Sequence, residues 1–124
     1  MKHLATITAP IRTVSEANTH DHYITARKRH KKQKNDVKYY FNYLSAYKNK
    51  ALTIKLIRVS PRQLDEHDNL KTCFKYIVDA LAEVLNPGKA PGRADDSKLL
   101  EWQYEQEKGE PKQRAIRVVI YERD

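Results

Sequence analysis

Residues 51–59 read ALTIKLIRV, and residues 68–85 read DNLKTCFKYIVDALAEVL. In the first segment, Leu52, Ile54 and Leu56 occupy every second position, so they share one face of an extended chain, which predicts a strand. In the second, apolar residues recur every three or four positions, which predicts a helix with one apolar face. That face contains Leu70, Cys73, Phe74, Ile77, Val78, Leu81, Val84 and Leu85. A strand and a helix of this kind indicate a fold in which helices pack on a sheet.

The rest of the chain adds one helix and three strands to this pair. Alternating and helical spacings predict strands over residues 2–8, 99–107 and 116–120, and a helix over residues 36–47. Residues 11–35 have little periodicity and much charge, which predicts a long basic loop. The order is then β-α-β-α-β-β, an α+β class with a small mixed sheet, in a single domain over residues 1–124.

The composition limits the class of protein. The chain has 124 residues, 40% of them hydrophobic and 32% charged, which is enough for one domain with a core. No apolar run approaches the roughly 18 residues of a membrane span, and the amino terminus lacks the pattern of a secretory signal. A lone cysteine excludes an internal disulfide and a cysteine-based zinc site, which favours a reducing, cytoplasmic location.

Positive charge is concentrated in the first half of the chain. Residues 1–62 contain 14 basic and 3 acidic side chains, whereas residues 63–124 contain 10 and 13, and the net charge is +8. Six basic side chains lie within eight consecutive positions and are called the basic block: Arg27, Lys28, Arg29, Lys31, Lys32 and Lys34. Such a block favours a polyanion, because each neutralised phosphate releases condensed counterions. A solvated loop without a partner is the alternative.

Carboxylates form two clusters in the second half of the chain. One precedes the predicted helix and the other follows the Pro/Gly loop after it: Asp65, Glu66 and Asp68, then Asp95 and Asp96. Oxygen ligands of this kind suit Mg²⁺, and a divalent ion would relieve the repulsion between neighbouring carboxylates. Asp68 has a second interpretation as the N-cap of the helix. At about 100° per residue, Lys75 and Asp79 lie on the same helix face as Asp68.

These segments resemble the RusA family of Holliday-junction resolvases, small endonucleases of phages and prophages. Residues 68–70 read DNL and match part of the family's D-x-D-N-L motif. Lys75 stands four residues before the DAL of residues 79–81, a separation that the family also has. Residues 95–97 read DDS and resemble the family's later acidic pair. The resemblance covers about residues 58–124.

The resemblance implies a homodimeric, Mg²⁺-dependent endodeoxyribonuclease, with Mn²⁺ able to substitute, that resolves Holliday junctions and other branched DNA in recombination and repair. It also implies phage or prophage origin and action in the cytoplasm of a bacterial host. Lys75 would stabilise negative charge on the reacting phosphate, and the basic block would bind DNA phosphates. The implied catalytic metal ligands are Asp68, Asp96 and either Asp65 or Glu66, with Asp95 as a further candidate.

The chain departs from the family pattern at two positions. Glu66 has the family's spacing to Asp68, whereas Asp65 has the family's side chain one position too early. Lys75 follows Asp68 by seven residues instead of four, which returns to the same helix face. An alternative function is therefore a catalytically inactive, structure-selective DNA-binding protein of the same fold. A third is an interaction module that binds no nucleic acid.

Tyrosines recur every four residues in the predicted helix over residues 36–47, at Tyr39, Tyr43 and Tyr47. This spacing favours core packing, and stacking on nucleotide bases is the alternative. Cys73 lies on the apolar helix face and is predicted to be a small core residue. Trp102 is assigned to the core or to a dimer interface.

Histidines near the charged segments have weaker functional signals. His20 and His22 have no third ligand at a suitable spacing, so a solvated loop is favoured over a metal site. His67 lies among the carboxylates, where contact with Asp65 is favoured over a role in proton transfer.

Overall fold

A computed structural model of the protein describes residues 1–14, 22–64, 69–87 and 98–123. Its elements follow the expected β-α-β-α-β-β order and confirm the α+β class. They are β1 (Lys2–Ala9), α1 (Tyr23–Phe41), a 3₁₀ helix (Asn42–Tyr47), β2 (Leu52–Ser60), α2 (Asn69–Cys73), α3 (Lys75–Leu85), β3 (Leu100–Lys108) and β4 (Ala115–Glu122). Within the described residues, no helix is both long and apolar enough to cross a membrane.

The four strands form one mixed sheet in the order β1-β4-β2-β3. β4 is antiparallel to β1 and β2, whereas β3 is parallel to β2, with Leu52 opposite Leu100. Parallel neighbours cannot be joined by a hairpin, so the chain crosses over between them through α2 and α3. The two connections of this crossover contain residues 65–68 and 88–97, which lie outside the described part of the chain.

The core lies between the helices and one face of the sheet. On β2, Leu52, Ile54 and Leu56 are fully buried, as their alternation predicts. Val118 and Ile120 of β4 lie opposite Leu56 and Ile54. Seven of the eight side chains of the predicted helical stripe are buried against this layer, and the eighth is half-buried. Each large aliphatic side chain buried in this way contributes about 1.5–3 kcal/mol.

The helix predicted over residues 68–85 is interrupted at Phe74, which separates α2 from α3. Phe74 has φ −96° and ψ 0°, at the edge of the helical region. Its N–H donates to the carbonyl oxygen of Lys71, three residues back, at 3.2 Å. The Phe74 ring is fully buried and stacks on Tyr104 of β3, with ring centroids 5.7 Å apart. The break therefore lies where the largest side chain of the stripe enters the core.

The basic block lies in a helix, so the prediction of a loop over residues 11–35 is wrong for residues 23–35. α1 begins 13 residues before the predicted start at residue 36. Lys, Arg and Gln have high helix propensity, and Gln33, Val37 and Phe41 supply a buried stripe at four-residue spacing. The Nδ1 atom of His22 caps the helix by accepting a hydrogen bond from the N–H of Ile24 at 3.3 Å. The charges are thus held at helical spacing.

The tyrosine stripe of this region faces solvent at two of its three positions. Tyr39 and Tyr43 are 80% and 63% exposed, so the prediction of core packing is wrong for them. Tyr47 is half-buried, and its hydroxyl donates to the carbonyl oxygen of Leu4 at 3.4 Å. The physical reason is that α1 packs through a different stripe, which ends at Phe41.

The face of the sheet turned away from the core carries paired charges. Because side chains alternate along a strand, Lys55 of β2 lies on the face opposite Ile54. Its Nζ is 3.3 Å from the Glu105 carboxylate on β3. On the same face, Arg117 of β4 donates two hydrogen bonds to the carboxylate of Glu107, at 3.2 and 3.3 Å. Exposed pairs of this kind contribute little to stability, but they cancel charge locally.

Candidate nucleic-acid interface

One face of α1 is lined with cations. Arg27, Lys31, Lys34 and Lys38 follow each other at spacings of four, three and four residues. At 100° per residue they fall within an arc of about 60° and extend over about 16 Å of the helix axis. We call these four residues the cationic face. Duplex DNA carries one phosphate per about 3.4 Å on each strand, so this length corresponds to about five phosphates.

The cationic face forms one wall of an open cleft of about 550 Å³ between α1 and α3. The described residues that line the cleft are Ile24, Arg27, Lys28, His30, Lys31, Lys34, Asn35, Lys38 and Tyr76. None of these lining residues is acidic. A concave surface with charge of one sign concentrates the opposite charge, so the chemistry of the cleft suits a polyanion.

Tyr76 of α3 is the point at which the two helices meet in this cleft. Its ring stacks on the imidazole of His30, with centroids 3.6 Å apart and an interplanar angle of 19°. The Nζ atoms of Lys34 and Lys75 lie 6.0 Å and 5.4 Å from the centroid of the same ring. These distances are in the range of cation–π attraction, which holds both ammonium groups near the ring. The structure thus brings together a residue predicted to bind DNA and a residue predicted to be catalytic, 41 positions apart in the chain.

The other side of α1 contains the remaining members of the basic block. Arg29 and Lys32 line a separate cleft of about 470 Å³ on this side of the helix, and Lys28 lines both this cleft and the one between α1 and α3. The Lys32 Nζ is 2.8 Å from the carboxylate of Asp36, one turn further along the helix. This hydrogen bond and the attraction to the carboxylate raise the pKa of Lys32. Of the six predicted DNA-binding residues, Arg29 and Lys32 are therefore directed away from the cationic face.

Arg58 is a buried charge near the end of β2. Its Nε donates to the hydroxyl of Thr13 at 3.0 Å, and a guanidinium N–H₂ group donates to the carbonyl oxygen of Arg62 at 2.6 Å. Burial lowers the pKa of this guanidinium from its usual value. The contacts attach the segment after β1 to the chain that leaves β2 toward the first carboxylate cluster.

Residue 64 is the last described residue before that cluster, and a side chain of β3 holds it. The amide of Gln106 accepts a hydrogen bond from the Leu64 N–H at 2.8 Å and donates one to the Leu64 carbonyl oxygen at 2.7 Å. This two-point contact fixes the backbone where the chain enters residues 65–68. Gln106 had no distinguishing signal in the sequence, because it is one polar residue in an alternating strand.

The predicted metal ligands lie outside the described residues: Asp65, Glu66, Asp68, Asp95 and Asp96. His20 and His67 also lie there. The convergence of the two carboxylate clusters on one ion therefore stays a prediction. Across residues 1–14, 22–64, 69–87 and 98–123, no group of three or more His, Cys, Asp or Glu side chains could hold a metal ion.

Two further predictions concern residues that the structure does describe. Cys73 is buried, and its thiol donates to the carbonyl oxygen of Leu70 at 2.9 Å, which confirms the prediction of a core residue. Trp102 is half-buried and packs against the core, as one of its two interpretations requires. Two members of the cleft, His30 and Tyr76, were not predicted from the sequence.

No protein-family model matches this chain, and no curated protein matches its sequence.

Proposed function

We propose that this protein is a Mg²⁺-dependent endodeoxyribonuclease that cuts four-way junctions and other branched DNA in recombination and repair. The observation that supports it best is the meeting of the cationic face and Lys75 around Tyr76. A nuclease needs cations that hold the DNA backbone beside the group that acts on the reacting phosphate. The resemblance of residues 58–124 to the RusA family supports the same reaction and the same lysine.

In this proposal α1 binds the DNA backbone without reading its sequence. The cations of α1 would contact successive phosphates at the fixed intervals of a helix. Lys75 would donate to a phosphoryl oxygen as negative charge develops there. Its side chain reaches over the Tyr76 ring, which limits the positions that its ammonium group can occupy.

The proposed metal site consists of Asp68, Asp96 and either Asp65 or Glu66, with Asp95 as a further candidate. When bound there, Mg²⁺ or Mn²⁺ would supply an activated water and neutralise charge on the phosphate. The proposal includes a homodimer, because a four-way junction has approximate two-fold symmetry and a two-fold dimer offers it two identical sites.

The test is cleavage of a synthetic four-way junction with Mg²⁺, with Mn²⁺ and with EDTA, under excess protein. Symmetric nicks are expected with either metal and none with EDTA. Asp68→Asn should abolish cleavage, and Lys75→Gln should slow it about 10²-fold or more, as losses of a charge-stabilising donor do. Lys71→Gln is the matched control, because Lys71 is another exposed lysine of the same crossover. Absence of cleavage by the wild type with both metals would refute the nuclease assignment.

The second candidate is a catalytically inactive DNA-binding protein of the same fold. It is favoured by the cleft beside α1, because phosphate binding by Lys and Arg side chains requires no metal. It predicts salt-sensitive junction binding that Asp96→Ala leaves intact, with no cleavage at any metal concentration. Symmetric nicks from the wild type would eliminate it.

A further inference from the structure

A second cleft continues the first one toward the carboxyl end of α1. It has a volume of about 720 Å³, and the residues that line it are Lys38, Tyr39, Asn42, Ser45, Lys48, Glu83, Val84 and Pro87. Lys38 lines both clefts, so the cationic face leads directly into the second cleft. Glu83 is its one acidic lining residue among those described, and it lies 4.0 Å from the Lys38 Nζ. From Arg27 to Tyr39 the distance along the helix axis is about 18 Å, and Tyr39 lies about 100° around the helix from Lys38, to the side of the cationic face.

Tyr39 presents an aromatic ring to solvent in this second cleft. Tyr39 is 80% exposed, the largest exposed fraction of any large hydrophobic residue in the described part of the chain. It meets Tyr40 edge to face, with centroids 4.9 Å apart and an interplanar angle of 89°. Tyr40 is half-buried and packs against the core, so it supports the Tyr39 ring from the protein side. Because the ring is already held in place, little side-chain entropy is lost when another flat group stacks on its open face.

We propose that the two clefts form one binding track for single-stranded DNA, with the backbone along the cationic face and one base stacked on Tyr39. Cations followed by an exposed aromatic ring are the combination that binds unpaired strands, because every base has a face to stack. In a duplex those faces are covered by neighbouring base pairs, so Tyr39 adds affinity only for an unpaired strand. This inference rests on the DNA-binding part of the proposed function and is independent of cleavage.

The experiment compares two labelled ligands by fluorescence anisotropy without divalent ions: an oligo-dT of about 12 nucleotides, within the usual site sizes, and a duplex of the same length. Tyr39→Ala should weaken binding of the oligo-dT by about 5- to 150-fold, the range for loss of one stacked base. Tyr39→Phe should restore it, because the ring and not the hydroxyl stacks. The affinity for the duplex should change less than about twofold.

Tyr23→Ala is the matched control, because Tyr23 is 65% exposed on the same helix but lines neither cleft. It should leave the affinity for oligo-dT unchanged. The inference is overturned if Tyr39→Ala weakens neither ligand, weakens both equally, or has no more effect than Tyr23→Ala. If the wild type binds neither ligand nor a four-way junction, DNA binding as a whole is refuted. If the wild type binds the junction but Tyr39→Ala does not weaken binding of the oligo-dT, only the single-strand track is refuted.

Discussion

Removal of two cations from the cationic face should flatten the salt dependence of DNA binding, whereas removal of two from the other side of α1 should not. The test variant is Lys31→Gln with Lys34→Gln. The control is Arg29→Gln with Lys32→Gln, which lowers the net charge by the same two units on the same helix. The lost charges lie in different places, because Lys31 and Lys34 line the cleft and Arg29 and Lys32 do not. In the control, Lys32 is also paired with Asp36.

The magnitude follows from the count of cations. Each neutralised phosphate of duplex DNA adds about −0.9 to the slope of log K against log salt, so the four cations contribute about −3.6. Between 50 and 200 mM salt, this contribution lowers the affinity of the wild type by about 150-fold. With two cations left, the contribution is about −1.8 and the loss about 12-fold. The control should keep the slope of the wild type.

The assay is fluorescence anisotropy of a labelled four-way junction in EDTA over a series of KCl concentrations, so that binding is measured without cleavage. Circular dichroism of each variant checks that α1 remains folded. Equal slopes for the test and control variants would show that total charge, and not the cationic face, determines the affinity. That result would refute the assignment of the cleft as the DNA-binding surface.

Two further predictions concern stability and are measured by urea unfolding. Phe74→Ala should lower the free energy of unfolding by about 3–5 kcal/mol, because it removes a fully buried ring at the break between α2 and α3. Tyr43→Ala, at an exposed position, should change the free energy of unfolding by less than about 0.5 kcal/mol. Equal losses in the two variants would contradict the assignment of Phe74 to the core. Arg58→Met should lower the free energy of unfolding by about 1–3 kcal/mol for each buried group that loses its hydrogen bond, such as the Thr13 hydroxyl. Unchanged stability would show that water replaces the guanidinium.

The strands and the main apolar helix face were predictable, because burial on one side leaves a period in the sequence. In β2, Leu52, Ile54 and Leu56 recur every two residues. In α2 and α3, apolar residues recur every three or four residues over 16 positions. The break at Phe74 was not predictable, since no Gly or Pro marks it and only the contact with Tyr104 accounts for it. The first 13 residues of α1 were missed, because α1 has few buried side chains and the first of them, Gln33, is polar.

The candidate site was predictable in its parts but not in its assembly. The basic block and Lys75 stand out in the sequence by charge and by motif. The basic block is divided between two sides of a helix only because the segment is helical. The sequence predicted a loop there, since its dense charge leaves little apolar periodicity. The stack of His30 on Tyr76 is a tertiary contact between residues 46 positions apart, and no local pattern encodes it.

The ion-paired face of the sheet would affect how the protein meets the proposed DNA ligand. Lys55 and Arg117 are balanced there by carboxylates on β3, whereas the lining of the α1 cleft includes no described carboxylate. Among the described residues, the charges are therefore distributed as an electric dipole, with the positive end on the α1 side. If DNA is the ligand, as proposed, its negative charge would exert a torque on such a dipole and turn the α1 side toward it before contact. That would raise the fraction of productive collisions at low ionic strength.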